Sequence, residues 1–237
     1  MTQISAIQKQ SHVFVRLRWG ARHESAATIA TRMASTIALF SKLHGVLAGT
    51  WLRMHEQTPA PATPGEWKEY VIESVTRADD GTPEERLGYH PSLATSRPYE
   101  QDDEPYAIFK VTAGSQGAIG NNCVLNFGVG TDIESEVFAQ ADAIVTGLAQ
   151  IWEPDYAALL TRPLNRAQGP ASALPAVGLT TWVAQSRMAP TTTPHNAVIE
   201  PWGEGFLIRS VPHDESTALS VWEQLKNSGS LLEAPAR

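Results

Sequence analysis

The run His12-Val13-Phe14-Val15-Arg16-Leu17-Arg18-Trp19-Gly20-Ala21-Arg22-His23-Glu24-Ser25 decides how the rest of the chain is read. Its first eight residues alternate, with Val13, Val15, Leu17 and Trp19 on one face, the period-two pattern of a half-buried strand. From Ser25 to about Leu47 the period changes. Ile29, Met33, Ile37, Phe40, Leu43 and Leu47 recur in steps of three and four, which is one stripe of an amphipathic helix. The chain therefore opens on a strand that hands over directly to a helix.

Working outward, Pro59, Pro61 and Pro64 punctuate the chain, and Thr63-Pro64-Gly65-Glu66 has the form of a capping box with proline at the first helical position. The helix it opens carries Trp67, Tyr70, Val71 and Val75 on one side. A long irregular region is then predicted to about Glu104, and a loop of that size in a compact domain is often functional. Tyr106–Thr112 and Cys123–Val129 read as strands joined through Gly114, Gly117 and Gly120. Thr131-Asp132-Ile133-Glu134 is a second box, heading a helix with Val137, Ala141, Ile144, Leu148 and Ile151 facing inward.

After a proline-rich segment over 163–175, strands are predicted at Thr181–Gln185, Ala197–Glu200 and Gly205–Val211. Asp214 caps a last helix holding Ala218, Val221, Trp222 and Leu225, with Gly229 as its stop. The order β-α-α-ββ-α-βββ-α predicts an α+β fold: a mainly antiparallel sheet with about four helices packed against it. The expected single domain covers 12–228, between a flexible N-terminus at 1–11 and a tail at 229–237.

The 237 residues are 42% hydrophobic and 18% charged, enough to bury a sizeable core and unlike the composition of a disordered chain. A single cysteine excludes an internal disulfide framework and a zinc site built on several thiolates. The net charge of −7 argues against nucleic-acid binding as a property of the whole protein. That charge is uneven: residues 1–55 carry seven bases against one acid, whereas 56–104 carry twelve acids against four bases. Met1 to Ser11 is polar and has no apolar secretory core. Ala141–Trp152, broken by Asp142 and Gln150, is too short to span a bilayer. The expected location is cytoplasmic.

Motifs for chemistry are sparse. His23-Glu24 and His55-Glu56 do not extend to the two histidines one turn apart that a zinc site of this type needs. His213-Asp214-Glu215 lacks the two further thiolates of a zinc deaminase, and Asp214 reads better as a helix cap. Cys123 lies among apolar strand residues, as a small core hydrophobe does. The glycines at 114–120 are followed by a strand, not by the helix N-terminus that cradles phosphate. There is no Gly-x-Ser-x-Gly elbow. No catalytic residue, metal or cofactor is assigned, and a non-enzymatic role is expected. Of seven tryptophans, Trp19, Trp67, Trp152 and Trp222 fall on apolar faces. Trp202, in Pro201-Trp202-Gly203-Glu204, is either a packed turn residue or an exposed anchor.

Residues 13–25 resemble the opening of the bacterial immunity protein 52 family, in which a strand ends in Trp-Gly-x-Arg-x-Glu-Ser and leads into a long amphipathic helix followed by a tryptophan, here Trp51. Gly203-Glu204-Gly205-Phe206-Leu207-Ile208 is similar to the family's glycine-led strand, and Trp152-x-Pro154 to the end of its middle helix. The chain departs from the pattern in its acidic segment 76–104 and in the short turn Pro212-His213-Asp214.

The resemblance implies an antitoxin that stays in the producing cell and neutralises an antibacterial effector by binding it. The implied partner is a basic nuclease of the restriction-endonuclease fold, delivered by type VI secretion. A DNA-cutting toxin presents basic surface, so an acidic inhibitor would be steered to it. Candidate toxin contacts are Asp79, Asp80, Glu84, Glu85, Asp102, Asp103 and Glu104. Trp19, Gly20, Arg22 and Glu24 are assigned to structure, with Arg22 and Glu24 bracing the strand-to-helix junction. Two other classes stay open: an effector chaperone or adaptor, and a small metal-independent hydrolase or transferase with 76–104 as its lid.

Overall fold

A computed structural model describes residues 10–95, 106–117, 120–128, 131–169 and 173–233. The chain packs as two compact units, one containing 21–140 and the other 12–20 together with 141 onward.

In the first unit, α1 (Ala26–Phe40) is capped by Ser25, whose Oγ accepts from the Thr28 N–H at 3.2 Å. The helix ends at Phe40 rather than near Leu47. Gly45 stands at φ +64°, outside helical space, and a Cβ there would overlap the carboxylate of Glu136. Leu47 still reaches the core, from a short 3-10 turn at Gly45–Ala48. The capping box of α2 (Pro64–Glu73) is complete. Thr63 Oγ1 accepts from the Glu66 N–H at 3.3 Å, and Glu66 Oε2 accepts from the Thr63 N–H at 3.1 Å.

Four strands of this unit, β2 (Leu52–Arg53), β3 (Ser92–Ala94), β4 (Ala107–Thr112) and β5 (Asn121–Gly128), pair antiparallel in that order. Leu93 stands opposite Phe109 and Phe109 opposite Leu125. Cys123, Leu125 and Phe127 alternate onto the buried face of β5. Phe40 joins α1 to this face, stacking on Trp51 at 5.1 Å and meeting the Phe109 ring edge-on at 5.7 Å.

The region expected to be irregular from 76 is an ordered excursion as far as Thr95. Thr76 N–H donates to Gly88 O at 3.0 Å, Glu84 N–H to Thr76 O at 2.7 Å and Tyr89 N–H to Ala113 O at 2.9 Å. Residues 96–105 lie outside the described part of the chain.

The single helix expected over 131–151 is two. α3 (Thr131–Ala139) ends at Gln140, whose Oε1 accepts from the His44 N–H at 2.7 Å, and α4 (Ala141–Trp152) begins the second unit.

In the second unit β1 (Gln10–Trp19), β6 (Tyr156–Thr161), β7 (Thr180–Ala184), β9 (Gly205–Ser210) and β8 (Ala197–Trp202) pair antiparallel in that spatial order. Val13, Val15, Leu17 and Trp19 are buried, and the Trp19 ring lies 5.8 Å from that of Trp152. Strand β6 carries no alternation because all six of its residues are buried. α4 packs on β6 and β7.

The proline-rich stretch contains a short helix, α5 (Arg162–Ala167), capped by Thr161 and packed against α6 (Glu215–Asn227). Asp214 caps α6, its Oδ1 accepting from the Thr217 N–H at 2.8 Å. The fold is α+β, and the strand pairs described within each unit are antiparallel. It has six α-helices among the described residues rather than about four.

Candidate functional site

Glu24, at the junction between β1 and α1, is buried and holds two guanidinium groups. Arg22 Nε is 3.2 Å from its Oε2, and Arg32 Nε is 3.1 Å from its Oε1. Arg22 also donates its backbone N–H to Ser115 O at 3.1 Å. These contacts fix the start of α1, and the geometry is that of a structural brace. Arg32, a turn further along the helix, is a member that the sequence pattern did not single out. Cys123 is fully buried, and burial first, with Glu24 adding to it, pushes its thiol pKa well up. Burial thus favours the neutral thiol.

The acidic candidates of the first unit separate by role. Asp80 makes a turn, its Oδ1 accepting from the Thr82 N–H at 2.9 Å, and that bond holds its carboxyl below the usual range. Asp79 and Glu85 are exposed, whereas Glu84 is partly covered and stands 3.9 Å from Arg86. Four carboxylates are thus displayed on one hydrogen-bonded arm. Asp102, Asp103 and Glu104 lie outside the described residues.

A larger feature belongs to the second unit. The C-terminal end of α4, the chain entering β6, the end of β7 and the β8–β9 hairpin enclose an open cleft of about 960 Å³. Its walls include Trp182 and Trp202, and its lining carries the carboxylates of Glu153, Asp155 and Glu204 with no lysine or arginine.

Each wall has a local cause. Trp202 closes β8 opposite Gly205, so Gly203-Glu204 is a two-residue hairpin loop. Gly203 has φ +55° while Glu204 is not among the positive-φ residues, which fits a type II′ turn with glycine first. Glu153 ends α4 with φ +47°, a left-handed conformation normally given to glycine, and donates its N–H to Ala149 O at 2.8 Å. Asp155 is held from behind by the buried Arg187, whose Nη1 lies 2.6 Å from its Oδ2. Arg187 is itself fixed by the carbonyls of Ala173 and Leu232.

A third cluster joins Asp142, Thr180, Arg209 and His213. Thr180 Oγ1 donates to Asp142 Oδ1 at 3.2 Å and lies 3.1 Å from His213 Nε2, while Arg209 Nε is 2.6 Å from Asp142 Oδ2. Thr180 is wholly buried, so its hydroxyl is not presented to a substrate. Among the described residues no three His, Cys, Asp or Glu side chains are grouped to hold a metal ion, and no helix is long and apolar enough to cross a membrane.

The cleft thus presents Trp202 and the carboxylates of Glu153, Asp155 and Glu204 from a hairpin, a helix end and a loop. No protein-family model matches the chain, and no curated protein matches it in sequence. Among solved structures it is similar to one described as Pseudomonas aeruginosa T6SS protein PA0821. The identity is 13% and the TM-score 0.48, and the match covers 90% of this chain and 72% of that one.

Proposed function

We propose that the chain is an immunity protein: an antitoxin that binds and neutralises a basic antibacterial effector, a DNase of the restriction-endonuclease fold delivered by type VI secretion. The observation that carries this reading is the cleft of about 960 Å³, with two tryptophans and three carboxylates in its lining and no cationic side chain. A half-buried tryptophan, Trp202, set among acids suits a protein partner of opposite charge. The net charge of −7 and the acidic arm at 79–85 act in the same sense, drawing a basic surface in from solution. The resemblance at 13–25 and 203–208 supplies the biological role.

Neutralisation on this reading needs no bond-making. A nuclease must lay basic surface along DNA, so an acidic protein seated on or beside that surface excludes the substrate sterically and by charge. The binding role is tested by co-expression in a toxin-sensitive bacterium. The C-terminal domain of a candidate nuclease effector, taken from a toxin gene adjoining that of this chain, is expressed with and without it, scoring survival and chromosomal integrity. Survival with intact DNA supports neutralisation. Killing despite two soluble proteins rejects it for that effector. Better effector yield without rescue favours a chaperone.

A further inference from the structure

We infer that the cleft reads arginine: it takes an arginine-bearing loop of the partner protein, with one guanidinium lying on the indole of Trp202 and hydrogen-bonded to the carboxylate of Glu204. This rests on the binding role proposed above and names the chemistry that the binding uses.

Trp202 and Glu204 belong to one tight turn, two residues apart, the first half-buried and the second exposed. A planar cation can therefore meet an aromatic face and an anion presented by the same rigid element. Trp182 forms a second wall, and its indole N–H is already spent on the Trp202 carbonyl at 3.1 Å, so the turn is held in place before a ligand arrives. No lysine or arginine stands in the lining, and the cation behind it, Arg187, is met by Asp155. A volume of about 960 Å³ exceeds one guanidinium and accommodates several residues of a loop.

The same lining disfavours a phosphate backbone, which would face Glu153, Asp155 and Glu204. Lysine satisfies the charge, but its ammonium neither stacks as a plane nor forks onto a carboxylate. Glu153 keeps its carboxylate at the rim in spite of a left-handed backbone, and strain of that kind concentrates where a surface is used.

The test is calorimetric titration of the full chain with the amidated peptide Gly-Arg-Gly-Arg-Gly, and with counterparts carrying citrulline or lysine in place of arginine. The arginine peptide is expected to bind, the lysine peptide roughly fivefold more weakly, and the neutral citrulline peptide not measurably. Trp202→Ala and Glu204→Gln are each expected to weaken the arginine peptide by about fivefold or more. Neither side chain is needed for the turn, which is made by Gly203 and by the Trp202 backbone carbonyl.

No binding up to about 5 mM peptide, equal binding of the citrulline peptide, or full retention of affinity in both variants would overturn the inference. Its failure is separable from that of the binding role. Wild-type rescue of toxin-expressing cells without arginine binding removes the cleft and leaves neutralisation standing. Absent rescue removes neutralisation whatever the peptide does.

Discussion

The indole nitrogen of Trp182, on β7, donates to the main-chain carbonyl of Trp202, at the end of β8, across 3.1 Å. That bond crosses β9 and sets the tip of the β8–β9 hairpin against the neighbouring strand. It is possible only because Gly205 lies between them. A Cβ at Gly205 would stand 2.3 Å from Val183 O and 2.7 Å from the Trp182 ring.

Gly205→Ala is therefore expected to destabilise the protein by roughly 1–3 kcal/mol, the usual cost of an inserted methyl that packed surroundings must yield to. Urea unfolding measures it, and the Trp202 environment should change with it. An unaltered midpoint would mean that the Val183 backbone and the Trp182 ring both yield without cost.

Glu153 sits at φ +47°, exposed, directly before Pro154. Relief of a left-handed side chain is worth about 1 kcal/mol, so Glu153→Gly is expected to raise stability by roughly 0.5–1 kcal/mol. The same variant should bind a cationic partner less well. A fall in the urea midpoint would show that the side chain contributes more to folding than its backbone strain costs.

Glu24 compensates both Arg22 and Arg32 from a buried position. Glu24→Gln leaves two cations facing a neutral amide, and a broken buried pair costs on the order of 3 kcal/mol. Thermal and urea unfolding should both register that loss. A change within a few tenths of a kcal/mol would contradict the brace.

The Tyr70 hydroxyl donates to Ser92 O at 2.5 Å and accepts from the Ser92 N–H at 2.9 Å. Burial is the main cause that pushes its pKa up to about 12. The folded state thus keeps a proton that the unfolded chain releases near 10. Stability from this group is complete below about pH 10 and is lost as pH rises toward 12. An absorbance titration of tyrosinate in the native protein should show this late component, and Tyr70→Phe should reduce it by one tyrosine, since burial also raises Tyr89 and Tyr156. An unchanged late phase in Tyr70→Phe would assign it elsewhere.

Local signals were legible in the sequence wherever they are self-contained. The caps at Thr63 and Asp214 and the alternation of Val13, Val15, Leu17 and Trp19 each depend on neighbours a few residues away. Strand β6 was not legible, since Tyr156-Ala157-Ala158-Leu159-Leu160-Thr161 is buried throughout and is built on alanine and leucine, which also suit helices. The end of α1 was hidden for a different reason. Leu43 and Leu47 continue the helical stripe by number, but α1 stops at Phe40 and Gly45, at φ +64°, leads into a separate 3-10 turn. The cleft needed the fold itself, because its walls come from 149–155, 182–186 and 202–204. Trp202 was the one part of it visible beforehand, as a turn residue able to serve as an anchor.

Neutralisation by binding is tested most directly by titrating purified nuclease with purified chain. A candidate nuclease effector domain is incubated with plasmid DNA and rising amounts of the chain, at low and at physiological salt. Cleavage is expected to stop at one equivalent, and complex formation to slow as salt rises because opposite charges steer it. Cleavage that continues undiminished past several equivalents, from an active nuclease and a folded chain, would contradict neutralisation.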